Sequence, residues 1–155
     1  MASEVISLLT LFALIVSARG AESPRSDLAA VFCAGICHLD NKVFVVGGWN
    51  GKRGLSCCDV FDPLSKIWSS AAPMLLGRYQ AGVACLNREV YAVGGCDSWT
   101  CVASVEKYNP ITNTWMEVAP LQNARRGCGV VEYNGMRVFC AIALSWGRRV
   151  GCVWA

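Results

Sequence analysis

Ten cysteines and one histidine in 155 residues are the side chains best equipped for chemistry in this chain. Their spacing separates metal binding, catalysis and packing. Structural zinc takes four convergent ligands, usually as two closely spaced pairs. The close groupings here are Cys33-x3-Cys37-His38, the adjacent Cys57-Cys58, and Cys96-x4-Cys101. None is a CxxC pair, so no metal ligands are assigned and no cofactor is expected. Cysteine as a small hydrophobe inside strands is the reading that remains. A catalytic nucleophile would need His38 as its base, and no G-x-S-x-G or similar element accompanies it. No catalytic residues are assigned, and the chain is not expected to be an enzyme.

The charged residues are as sparse as the histidine. Fourteen Lys and Arg against eleven Asp and Glu leave +3, with short basic pairs at Lys52-Arg53, Arg125-Arg126 and Arg148-Arg149. A nucleic-acid-binding surface clusters its basic residues, so scattered pairs exclude that class. A hydrophobic content of 54% with 16% charged residues excludes intrinsic disorder and fits one packed domain.

Residues 1–32 form an N-terminal hydrophobic segment. In it Val5–Val16 has ten apolar residues of twelve, too short to span a bilayer comfortably. Ser17-Ala18-Arg19-Gly20 then supplies a signal-peptide-like cleavage site after Gly20. MASE, with Glu4 and no Lys or Arg, lacks the basic start of such a peptide, so a signal peptide and an ordinary buried segment both stand.

What positions the remaining residues is an internal repeat. A shift of 47 residues carries Gly47-Gly48 onto Gly94-Gly95, Val43 onto Val90, Phe44 onto Tyr91, Phe61 onto Tyr108, Pro63 onto Pro110 and Trp68 onto Trp115. Gly35, Gly82 and Gly129 lie on the same grid, as do Arg78 and Arg125, so a third unit has begun by the late 120s.

Each unit reads as four short strands. Val43–Val46 and Val90–Val93 are apolar runs stopped by double glycine, and runs this apolar predict strands buried on both faces. Gly82–Leu86 and Gly129–Tyr133 precede such runs, joined to them through turns at Asn87-Arg88 and Asn134-Gly135. Cys58–Phe61 and Val105–Tyr108 follow, then Asp62-Pro63 and Asn109-Pro110 as turns, then a strand at each tryptophan. Paired glycines at a strand end point to positive φ or very close backbone approach. Trp68 and Trp115 are expected to fill the space where one twisted sheet lies against the next. A four-stranded antiparallel unit of this length is a β-propeller blade.

At these residues the chain resembles the kelch repeat family: four apolar residues, then Gly47-Gly48 or Gly94-Gly95, an aromatic at Phe61 or Tyr108, and a tryptophan seven positions on at Trp68 or Trp115. The fuller wording, Met74-x3-Arg78-x3-Gly82-Val83, looks most like the kelch-like substrate receptors of cullin ubiquitin ligases. The expected fold is all-β: a partial β-propeller of kelch repeats, with two complete four-stranded blades at 33–78 and 80–125 and an incomplete third over 127–155. The third unit has no double glycine where one is expected and runs instead into Ala143-Leu-Ser-Trp146. Propellers close with about four to eight blades, so the chain is expected to be a truncated product or fragment. The 32 residues ahead of the repeats are expected to be too few for the BTB and BACK domains that the resemblance places there.

The resemblance also implies a protein partner docking on one face, at the loops after each double glycine and the loops entering the next blade. Carried over, these give Trp49, Asn50, Lys52 and Arg53, then Asp97, Ser98 and Trp99, with Arg78, Tyr79 and Gln80, and Arg125 and Arg126, from the entering loops. Arginine forks favour a partner segment with carboxylates. The alternative for Arg78 and Arg125, at the repeat-defining position, is structural, tying blades together. By the resemblance cullin binding belongs to a BTB domain, and without one it is not expected. Open blade edges predict self-association. A copper site of the kind found in some kelch oxidases would need several imidazole and tyrosine ligands, against one histidine here. A cytoplasmic location follows from the resemblance, and a secreted or lumenal kelch protein with disulfides follows if residues 1–20 act as a signal peptide.

Overall fold

The computed structural model describes residues 33–133, 136–141 and 152–154. The hydrophobic stretch at 1–32, the Asn134-Gly135 turn and the divergent Ala143–Trp146 segment lie outside the described residues.

The described chain is all β. Strands β1 (Gly35–Leu39), β2 (Lys42–Val46), β3 (Cys58–Asp62) and β4 (Ile67–Ala71) form an antiparallel sheet in chain order. The second unit has β5 (Gly82–Leu86), β6 (Glu89–Val93), a two-residue pair β7 (Cys96–Asp97) and β8 (Thr100–Cys101), then β9 (Val105–Asn109) and β10 (Thr114–Val118). Its sheet runs β5-β6-β9-β10, and β7-β8 forms a separate hairpin. A third sheet of three strands contains β11 (Cys128–Tyr133), β12 (Met136–Ala141) and β13 (Cys152–Trp154). The β13 strand lies on the 47-residue grid as the counterpart of β9; it pairs with β12 at Val138↔Trp154, Phe139↔Val153 and Cys140↔Cys152, the β6–β9 register shifted by one repeat.

Turn chemistry sets the register. Asp40-Asn41 and Asn87-Arg88 carry φ of 49° and 59°, and of 51° and 62°, the mirror-image geometry that matches strand twist in two-residue hairpins. The β3–β4 and β9–β10 turns are closed by side chains: Asp62 Oδ1 accepts from Leu64 N at 2.9 Å, and Asn109 Oδ1 from Ile111 N at 2.8 Å.

Val43–Val46 and Val90–Val93 are buried at every position, as continuous apolar runs covered on both faces must be. Phe44, Val46, Cys58, Val60 and Met74 of the first unit pack with Val90, Ala92, Tyr108 and Trp115 of the second as one core. Trp115 sits 5.3 Å from Tyr108, ring centre to ring centre, and its Nε1 donates to Ala72 O at 2.8 Å, so the tryptophan both fills and ties the gap. The innermost strands approach so closely that a Cβ on Gly35 would fall 2.1 Å from Val83, and one on Gly82 2.4 Å from Val130. Only glycine at these grid positions lets successive sheets converge.

Candidate interaction surface

The loops at one end of the sheets are held by a backbone device that repeats with the grid. Gly47 and Gly48 have φ of 68° and 119°, and Gly94 and Gly95 have 59° and 96°. Gly48 N donates to Arg78 O at 2.9 Å, and Gly95 N donates to Arg125 O at 2.8 Å. A side chain on Gly47 would meet Arg78 O at 2.3 Å, and one on Gly94 would meet Arg125 O at 2.7 Å. The double glycine thus serves both expectations, positive φ and close approach, because the next entering loop lies directly on it. Leu55 O then accepts from Arg78 N at 3.0 Å, and Val102 O from Arg125 N at 3.3 Å.

A second chain of backbone bonds links the entering loops to one another. Gln80 N donates to Cys33 O at 2.8 Å, and Gly127 N donates to Gln80 O at 2.9 Å. These three residues, again 47 apart, all adopt the left-handed conformation, with φ of 65°, 52° and 68° for Cys33, Gln80 and Gly127. The Gln80 backbone is therefore committed to the scaffold, leaving its half-buried side chain at the loops.

The side chain of Arg78 is not at the surface, which corrects its assignment to the partner-contacting set. It is fully buried, with a relative exposure of 0%. Its Nη1 donates to Gly94 O at 2.9 Å and Ser104 O at 2.8 Å, and its Nη2 to Ser104 Oγ at 2.9 Å and Glu106 Oε1 at 2.5 Å. Glu106, 1% exposed, also accepts from Leu75 N at 2.7 Å and Leu76 N at 3.1 Å. A planar guanidinium with several fixed donors is suited to bridging such a set, and the buried charge is compensated on each side. Arg78 is a tie between the first two units. Sequence reading missed its partners Ser104 and Glu106; the available signal was Glu106 itself, a carboxylate in a strand laid beside the apolar run Val90–Val93. Arg125 differs, being partly exposed, with Nε reaching Asn123 O of its own loop at 3.4 Å.

The loop residues that remain converge. Trp49 packs against Tyr79 at 4.7 Å and against Trp99 at 5.6 Å between ring centres, so three loops contribute one aromatic cluster. Tyr79 Oη donates to Ser98 O at 2.9 Å, which ties the entering loop to the β7–β8 hairpin. Trp99 stands 83% exposed. Asn50 shapes its own loop: Oδ1 accepts from Lys52 N at 3.0 Å and Arg53 N at 2.9 Å, fixing the turn that leaves the side chains of Lys52 and Arg53 in solvent. Arg53 and Asp97 line a cleft of about 280 Å³ with Leu55 and Gly77. Burial pushes the Tyr79 phenol above its ordinary value, with nearby Cys96 adding to the rise and the guanidinium of Arg126 drawing it back.

One thiol pair lies beneath this cluster. Cys96 and Cys101 face each other across the β7–β8 hairpin with Sγ atoms 3.2 Å apart. Among the described residues, no group of three or more His, Cys, Asp or Glu is placed to hold a metal ion.

Comparison with known proteins agrees with this architecture. The Kelch motif model matches residues 30–75 and 77–122. A search of curated proteins found no match. Among solved structures, a fungal alcohol oxidase of the AA5 family, in complex with copper, superposes with a TM-score of 0.64 at 15% identity, over 79% of this chain and 28% of that one. At that identity the likeness is one of fold, and this chain spans little more than a quarter of the oxidase. Copper is that protein's ligand; here the single histidine, His38, is exposed on β1, and this donor set does not fit an imidazole-rich copper site. With two matched units covering more than half of its length, and two four-stranded blades built on the same 47-residue grid, the chain belongs to the Kelch motif family.

Proposed function

We propose that the chain is a protein-interaction module that takes its partner at the loop end of the blades, through Trp49, Tyr79 and Trp99 with Lys52, Arg53, Arg126, Asp97 and Ser98 around them. The observation that carries this reading is the convergence of three aromatic rings from three separate loops, one of them largely exposed. Exposed tryptophan and tyrosine with arginine at the rim are the residue types that dominate binding energies at protein interfaces. A buried structural use for Trp99 would have drawn it into the core. The basic rim favours a partner segment that brings carboxylates to an aromatic platform. The finer form of the proposal is the role suggested by the kelch-like wording of the repeats, a substrate receptor like those of cullin ubiquitin ligases.

A panel of acidic and neutral peptides, with and without an aromatic residue, tests the proposal by titration calorimetry on the full chain. Trp99→Ala is expected to weaken binding of acidic aromatic peptides by about 30-fold, on the order of 2 kcal/mol for an interface anchor. Arg53→Ala with Arg126→Ala is expected to weaken it less and to flatten its salt dependence. Binding unaffected by Trp99→Ala would overturn the reading.

A further inference from the structure

We propose that Cys96 and Cys101 form a redox-modifiable site, closing by thiol–disulfide exchange into an intrachain disulfide that locks the hairpin bearing Trp99. The assignment rests on the thiols themselves and not on what the loops bind.

Three observations meet at this pair. The sulfur atoms already lie 3.2 Å apart, across a cross-strand register of Cys96↔Cys101. Hydrogen bonding explains the approach. Cys96 N donates to Tyr79 O and Cys96 O accepts from Tyr79 N, both at 2.9 Å, so both of its backbone groups point away from β8. In an antiparallel ladder this makes Cys96–Cys101 a pair without mutual backbone bonds, the kind whose Cα atoms come to about 4.5 Å. That spacing falls inside the range disulfides span. Finally, the exposures are unequal: Cys96 is 1% exposed, whereas Cys101 is partly open to solvent.

The inequality orders the steps. Cys101, as thiolate, attacks one sulfur of a small-molecule disulfide, forming a mixed disulfide and expelling one thiolate. Cys96 then gives up its proton to solvent and attacks the Cys101 sulfur, expelling the second thiolate. Two protein thiols are oxidised and one small disulfide is reduced to two thiols. Burial and the neighbouring Cys101 hold the Cys96 thiol above the ordinary value, which suits it to the second, intramolecular step, where proximity offsets a low thiolate fraction. A separate thiol grouping, Cys37 with Cys58 and Cys85, sits at the core between the first two blades, where burial pushes Cys37 far above the usual range and disfavours attack through it.

Tryptic cleavage after Arg88 and Lys107 yields a peptide, 89–107, whose only cysteines are Cys96 and Cys101. The reduced full chain is equilibrated with mixtures of reduced and oxidised glutathione, quenched in acid, alkylated, digested and mapped by mass. Peptide 89–107 is expected to escape alkylation and lose two hydrogens at a less oxidising mixture than any other cysteine peptide. In Cys96→Ser, Cys101 is expected to retain a glutathione adduct; in Cys101→Ser, the peptide is expected to gain neither disulfide nor adduct. The same mixtures in denaturant are expected to need at least a tenfold higher ratio of oxidised to squared reduced glutathione for that peptide. Double alkylation at every mixture, earlier pairing of other cysteines, or equal ease of closure in denaturant would each overturn the assignment.

Discussion

The two junctions between successive units share a backbone and differ in their side chains. At both, the double glycine donates to the carbonyl of an arginine, and the two arginines lie one repeat apart in the sequence. At the first junction that arginine turns inward and is buried against Gly94, Ser104 and Glu106. At the second, Arg125 stays partly exposed and, among the described residues, forms no ion pair. The residues 47 positions beyond Ser104 and Glu106 are Gly151 and Val153, so the third unit offers neither hydroxyl nor carboxylate at those positions. The difference teaches that the backbone half of the joint belongs to any unit with glycines in place, whereas the charged half requires a particular residue in the unit that follows.

The largest expected effect comes from removing the charged half. Arg78→Met strands Glu106 in the core and is expected to destabilise the chain by about 3 to 5 kcal/mol, against less than about 1 kcal/mol for Arg125→Met. Urea unfolding of both variants measures the contrast, and equal losses would erase it. If Arg78→Met fails to fold, the double change Arg78→Met with Glu106→Leu keeps the comparison usable, because replacing both partners by apolar groups is expected to recover most of the stability.

A smaller effect tests the shared half. Gly47→Ala and Gly94→Ala each force a side chain into positive φ against an arginine carbonyl. Each is expected to cost about 2 kcal/mol, strain and clash together, with the two values agreeing within about 1 kcal/mol. A large loss at one glycine and none at the other would show that the backbone joints are not equivalent.

The smallest effect separates the β3–β4 and β9–β10 turns. Asp62 accepts from Leu64 N and Ser65 N, which holds its carboxyl below the ordinary value, whereas Asn109 makes the same turn with a group that does not titrate. A depressed pKa contributes stability above about pH 4, lost as pH falls through the folded value. Asp62→Asn is therefore expected to flatten the acid limb of the stability–pH curve slightly and leave it unchanged at neutral pH. An identical acid limb in both proteins would remove the distinction.

How much of this was legible in the sequence follows from what repeats. Residues on the 47-residue grid, such as Gly48, Gly95, Tyr108 and Trp115, announced strands, joints and core together, because a periodic structure stamps a periodic requirement on the chain. The burial of Arg78 was left open, since periodicity shows that a position is constrained without showing which way its side chain turns. The β7–β8 hairpin escaped notice because two strands of two residues each are too short to show an alternating pattern. The aromatic cluster was legible only as loop membership: Trp49 falls opposite Cys96 on the grid, and the meeting of Trp49, Tyr79 and Trp99 depends on how neighbouring units stack.

The bonds from Gly48 to Arg78 and from Gly95 to Arg125 carry an implication for how such a chain grows. Each unit holds a donor at the end of its second strand and an acceptor where the following unit begins. A tandem duplication of the coding segment therefore arrives with working connectors at both ends, before any point mutation. Adding or removing a whole unit then leaves the backbone joints intact, whereas a charged tie such as Arg78–Glu106 still depends on the residues of the unit that follows.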